Sequence, residues 1–222
     1  VTCFFDMPNT KPRTTTPSAL KEKKAIARSK SLADFGVFAG VEPGIDVQAL
    51  AEGAVGFKLY MAHSTGEMGV ASLADVEAEM KTISTSGKVL AVHAEDESLR
   101  KKDIERDLED HLRNRSNECE ASAIRRIKQV AGECRLHICH VSARESIPFV
   151  TGAKNLTSEV TPHHLLLDKD SRLATRGKVN PPLRTRTDRY AIMQHLKEGG
   201  FDTIGSDHSP HSLEEKSEDF DY

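Results

Sequence analysis

Short apolar, β-branched runs alternate along this chain with longer stretches whose apolar residues recur at helical spacing. The runs predict strands over Val1–Asp6, Gly36–Val41, Gly56–Tyr60, Val89–His93, Arg135–Val141, Thr157–Val160 and Thr203–Gly205. Helices are predicted over Pro17–Ser31, Leu73–Thr85, Glu118–Ala131 and Thr187–Lys197. Ser72 is placed to cap the second of these and Gly87 to stop it. In the third, Ala121, Ile124, Ile127 and Val130 form one apolar face. Strand followed by helix, repeated, means parallel strands joined by crossover helices, and the near-continuous apolar strands fit a sheet covered on both sides. An open doubly wound sheet and a (β/α)8 barrel both satisfy that pattern. The charge-dense stretch Glu97–Asn117 reads as a solvated helix and loop.

Ligand-type side chains collect where the strands end. Lys58 lies near the end of one strand, His93 closes the next in "VLAVHAED", His140 follows in "LHICHVSA", and Asp207 comes last in "TIGSDHSPH". In an α/β barrel the strand C-termini share one face, which holds the active site. Two histidines and a carboxylate make a zinc set with an open position. Lys58 as an ammonium repels a cation, but carboxylated by CO2 it offers two anionic oxygens. Asp207 could bind metal and still accept a proton from water. The pair His163-His164 in "TPHHL" reads as structural or supporting. Asn9 in "DMPNTKP" and Asn180 in "KVNPPLR" sit in proline-stiffened loops. An Asn side chain pairs a donor with an acceptor, which suits a cyclic amide edge.

Composition narrows the partners. Among 222 residues, 31 Lys+Arg nearly balance 34 Asp+Glu, so neither nucleic acid nor an anionic membrane is an expected partner. No apolar run approaches the roughly 20 residues that span a bilayer. No signal peptide is visible, and Cys3, Cys119, Cys134 and Cys139 show no paired spacing, so cytoplasmic, reduced thiols are expected. No GxGxxG or Walker A motif is present, which counts against a nucleotide-binding open sheet.

The segments "MPNT", "GFKLYMA", "VHAED", "CHVS", "TPHH", "VNPPLR" and "SDHSPH", in this order, resemble the dihydroorotases of the amidohydrolase superfamily from Asp6 to Lys216. Allantoinases and hydantoinases are the near alternatives. The resemblance implies a (β/α)8 barrel of the metal-dependent hydrolase kind, as a single domain over residues 1–222. It implies two zinc ions bridged by carboxylated Lys58, with His93 and His140 on the exposed ion and Asp207 on the other. Asp207 would also shuttle the proton. Asn9 and His211 match residues that hold the substrate carboxylate, and Asn180 one that touches the pyrimidine ring. The substrate implied is carbamoyl-aspartate or dihydroorotate.

The family's first strand ends in a His-x-His-x-Arg motif that this sequence does not contain, and its tail lacks the closing helix and small β domain. The expectation is a barrel without its first strand, either a fragment or an incomplete gene product. Alone it would bind at most one zinc, with Lys58 largely uncarboxylated. A second reading is a non-catalytic scaffold for aspartate transcarbamoylase. A homo-oligomer is also compatible with the sequence.

Overall fold

The computed structural model describes residues 1–62, 68–70 and 72–217. Seven parallel strands are found among them: β1 (Cys3–Asp6), β2 (Asp34–Gly40), β3 (Gly56–Tyr60), β4 (Val89–His93), β5 (Arg135–Ile138), β6 (Leu156–Val160) and β7 (Thr203–Ile204). Their order in the sheet is β1-β2-β3-β4-β5-β6-β7. A doubly wound sheet reverses its order at a switch point. Here the order never reverses, so the fold is a partial (β/α)8 barrel.

The chain divides into two compact units, Val1–His93 with Ile127–His137, and Ala94–Arg126 with Ile138–Tyr222. In the first unit β1 to β4 pair in parallel, with Phe5↔Gly36, Gly40↔Lys58 and Tyr60↔His93 in register. Every residue of β3 is buried, Lys58 included in an otherwise apolar run. Helix α1 (Pro17–Lys30) packs on β2, and α3 (Glu77–Ser86) packs on β4 and on α2 (Val47–Ala51). Thr16 caps α1 through the Ala19 N–H, with Pro17 in the first turn. Ser72 accepts from the Ala74 N–H, but the turn it caps is 3-10 over Leu73–Val76 before α3 begins. Gly87 ends α3 at φ 71°, a conformation that costs glycine nothing.

In the second unit β6 and β7 pair in parallel through Val160↔Ile204. Helix α6 (Pro162–Leu166) packs on α7 (Arg186–Lys197). The latter opens with a capping box between Thr185 and Asp188. Three expectations need correction. The strand predicted to reach Val141 stops at Ile138, because His140 turns into the left-handed region at φ 41°. On α5 (Asn117–Val130), Ala121, Ile124 and Ile127 are buried as predicted, but Val130 in the last turn is exposed. The supposedly solvated stretch 97–117 contains α4 (Leu108–Asn114) and buries Asp110, His111, Asn114 and Arg115, each charge or amide held by a polar partner.

Gly56 marks how tightly the first unit is packed. A Cβ there would meet Phe38 and Val89 side-chain carbons at 2.7 Å and the Val89 carbonyl at 2.9 Å. The carbonyl belongs to the strand ladder and cannot give way. Gly56→Ala should destabilise the protein by about 1–3 kcal/mol. A urea midpoint unchanged from wild type would show that the strands part more easily than this packing implies.

Candidate functional site

Within the first unit, Lys58 and His93 sit on one face of the sheet, because Lys58 pairs with Ala91 and Tyr60 with His93 in a parallel register. Both are buried, at 3% and 1% exposure. The Lys58 Nζ stands 5.2 Å from the centre of the Tyr60 ring, and that ring lies 5.8 Å from the His93 imidazole. As an ammonium, Lys58 is stabilised by the aromatic face. Tyr60 was not singled out from the sequence; its place two residues after Lys58, and so on the same face, was the available signal. Asn9 is half-buried in the turn after β1, where the Thr10 N–H donates to the Pro8 carbonyl at 2.9 Å.

Within the second unit, His140 follows β5 and Asp207 follows β7. Both are non-glycine residues in the left-handed region, at φ 41° and 47°. Such a conformation is uncommon for a side chain-bearing residue and concentrates at functional positions. His140 is buried and its backbone N–H donates to Glu159 Oε1 at 3.2 Å, while Asp207 is exposed. Cys139 and Glu159 bring Sγ and a carboxylate oxygen within 4.8 Å of each other, a donor pair the sequence reading missed. His211 meets Ser209 Oγ at 3.1 Å through Nε2. Asn180 is half-buried, and its Oδ1 is buried without a hydrogen-bond partner among the described residues.

The loop carrying His140 is held from behind. Glu120 on α5 accepts from the Ser142 and Ala143 N–H groups at 3.1 and 2.9 Å and from the Ser142 hydroxyl. Arg184, from "NPPLR", donates to Ser142 Oγ at 3.0 Å, to Glu120 at 3.3 Å and to the Arg115 carbonyl. Arg115 in turn pairs with Glu95, two residues after His93 in the chain. None of these charges was predicted to be buried, since each partner lies 20 or more residues away. His164 proves structural: Nε2 donates to the Pro181 carbonyl at 3.1 Å and Nδ1 meets Thr161 Oγ1 at 2.7 Å. Burial holds its pKa well below the usual histidine range.

The donor chemistry within each unit is of a kind that suits a metal ion: a buried imidazole and a buried lysine in the first, a buried imidazole and an exposed carboxylate in the second. Among the described residues no helix is long and apolar enough to cross a membrane. All four cysteines are free thiols.

No family model matches the chain. The dihydroorotase of Methanosarcina mazei is 34% identical over 99% of the chain and 53% of its own length. An allantoinase of Bacillus velezensis is 35% identical over 98% of the chain and 52% of its own length. The chain is a homologue of the dihydroorotases, and its structural neighbours are enzymes of the amidohydrolase superfamily. It spans about half the length of the curated relatives it matches. Among solved structures, the L-hydantoinase of Arthrobacter aurescens superposes with a TM-score of 0.88 at 30% identity, covering 97% of this chain and 52% of that one. The Saccharomyces cerevisiae dihydroorotase in complex with 5-fluoroorotic acid shares the fold, with a TM-score of 0.81 at 20% identity over 98% of this chain and 65% of that one.

Two predictions follow from the buried charges. Glu120→Ala leaves the Arg184 guanidinium, 2% exposed, without its carboxylate. The loss should be about 3–5 kcal/mol of stability, because a buried charge is stranded; denaturant unfolding with less than 1 kcal/mol lost would contradict this. The second concerns acid. Burial pushes the Asp96 carboxyl up, but hydrogen bonds from Arg126, Ser98 and Ser122 outweigh it and bring it down to about 2. Glu105 is likewise raised by burial and brought down to about 2 by His111, Asn114 and Lys178. Both folded pKa values lie below the unfolded ones, so this stability is complete above about pH 4.5 and drains away as pH falls toward 2. Asp96→Asn and Glu105→Gln should each flatten the fall of stability with acid over that window, read from urea midpoints at stepped pH.

Proposed function

We propose that this chain carries residues of a dihydroorotase site, interconverting N-carbamoyl-L-aspartate and L-dihydroorotate in pyrimidine synthesis in the cytoplasm. The observation that carries the reading is 34% and 36% identity to archaeal dihydroorotases across 99% of the chain. In this reading Lys58, carboxylated, joins His93, His140 and Asp207 in holding zinc. Zinc, when bound, would make water more acidic and polarise the amide carbonyl. Asp207, exposed after the last strand, takes the proton from the attacking water and passes it to the departing ring nitrogen. Cyclisation runs the same transfers in reverse. Asn9 and His211 hold the substrate's free carboxylate. Asn180, with a buried Oδ1 awaiting a donor, accepts from the ring amide N–H.

The same residues serve a hydantoinase or allantoinase reading, which the fit to the Arthrobacter aurescens enzyme favours. Turnover of dihydroorotate, hydantoin and allantoin by the zinc-loaded protein separates the two. The expected result is preference for dihydroorotate, loss of turnover on chelation, and a kcat at least 1000-fold lower in Asp207→Asn, on the order of what such groups contribute. Faster turnover of hydantoin or allantoin would replace the dihydroorotase reading.

A further inference from the structure

The loop around Asn180 is fastened in an unusual way. Three of its four consecutive carbonyls over residues 178–181 are each taken by a side-chain nitrogen from a different part of the second unit. Lys216 Nζ donates to the Lys178 carbonyl at 2.8 Å. His111 Nε2, from α4, donates to the Val179 carbonyl at 2.9 Å. His164 Nε2, from α6, donates to the Pro181 carbonyl at 3.1 Å. The carbonyl skipped is that of Asn180 itself.

Each fastener is itself anchored. The other ring nitrogen of His111 lies 2.8 Å from the Glu105 carboxylate, and Glu105 also meets Lys178 Nζ at 3.3 Å. His164 is braced by Thr161. The carbonyl of Lys216 accepts from the Thr175 hydroxyl at 2.6 Å, which ties its segment to the start of the same loop. A lysine, whose free side chain has high rotamer entropy, is among the costlier side chains to immobilise. Partial burial lowers its pKa, so the ammonium is also partly desolvated. A loop needing only to connect two elements would leave its carbonyls to water.

Against this tightly held backbone, two polar atoms stay unsatisfied. Asn180 Oδ1 and His163 Nε2 are both buried without hydrogen-bond partners among the described residues. The His163 ring lies tilted against that of His164, centroids 4.3 Å apart, next to the loop that His164 holds. Buried polar atoms are normally paired, and an unpaired one carries an uncompensated desolvation cost. A rigid backbone presenting an unpaired acceptor is the arrangement of a preorganised ligand contact.

We infer that His111, His164 and Lys216 are positioning residues that clamp residues 178–181 so that the Asn180 side chain meets its ligand already oriented. The ligand's identity rests on the dihydroorotase reading above; the clamp does not. The test uses the full chain with Lys216→Met and His111→Gln, and Lys216→Arg as the conservative rescue. Amide hydrogen exchange over residues 177–184 reports the loop directly, and dihydroorotate kinetics report its use. Both disabling variants should speed exchange in this segment about tenfold, leave exchange in β6 and α7 unchanged, and raise KM at least fivefold while kcat moves less than twofold. That split is the mark of lost binding geometry rather than lost chemistry. Lys216→Arg should keep wild-type exchange and KM. Unchanged loop exchange in both variants, or exchange faster throughout the second unit, would overturn the clamp. Faster exchange confined to the loop, in a protein that neither binds nor turns over dihydroorotate, would sustain the clamp and sink the substrate reading.

Discussion

A single carboxylate holds the second unit's site-bearing loops in place. Glu120 reaches from α5 to two backbone N–H groups and a hydroxyl just beyond His140, and it shares Arg184 with that hydroxyl. A buried charge without partners is prohibitively costly, and an unpaired buried N–H is nearly as unwelcome. Each group therefore needs the other, and satisfying them forces α5, the loop after β5 and the segment before α7 into one geometry. Apolar residues of the same volume would pack these elements equally well but would leave the loop free to slide. The polar network costs desolvation energy and returns a fixed position for His140.

The same logic explains the turn itself. His140 and Asp207 hold left-handed backbones at a cost of order 1–3 kcal/mol each, where glycine would cost nothing. That neither position is glycine means the side chain is worth more than the strain. Both lie at strand C-termini, the edge where a parallel α/β sheet gathers its chemistry. Ala174 shares the conformation at φ 48° without a functional side chain, so strain alone does not mark a site.

Much of this was legible in the sequence, and unevenly so. β3 and β4 match their predicted limits residue for residue, because buried parallel strands are written as largely apolar runs. Lys58 and His93 were identifiable as odd residues inside those runs. The charge-dense stretch 97–117 misled, because composition shows how many charges there are and not where their partners lie. Arg115 meets Glu95 and Arg184 meets Glu120 only after folding, across 20 and 64 residues of chain. His164 and His163 are adjacent in sequence, yet one has both ring nitrogens satisfied while the other keeps a buried Nε2 without a partner among the described residues. No periodicity distinguishes them.

What separates those two histidines also separates the two kinds of polar residue in this chain. Glu120, Arg184, His111 and His164 spend their hydrogen bonds on protein groups that fix the surrounding loops. Asn180 Oδ1 and His163 Nε2 are desolvated and unfilled, so a donor arriving there recovers a cost already met in folding. A held amide oxygen accepts only from a group that arrives at the right distance and angle. The satisfied network therefore sets the geometry in which the two unsatisfied atoms are held.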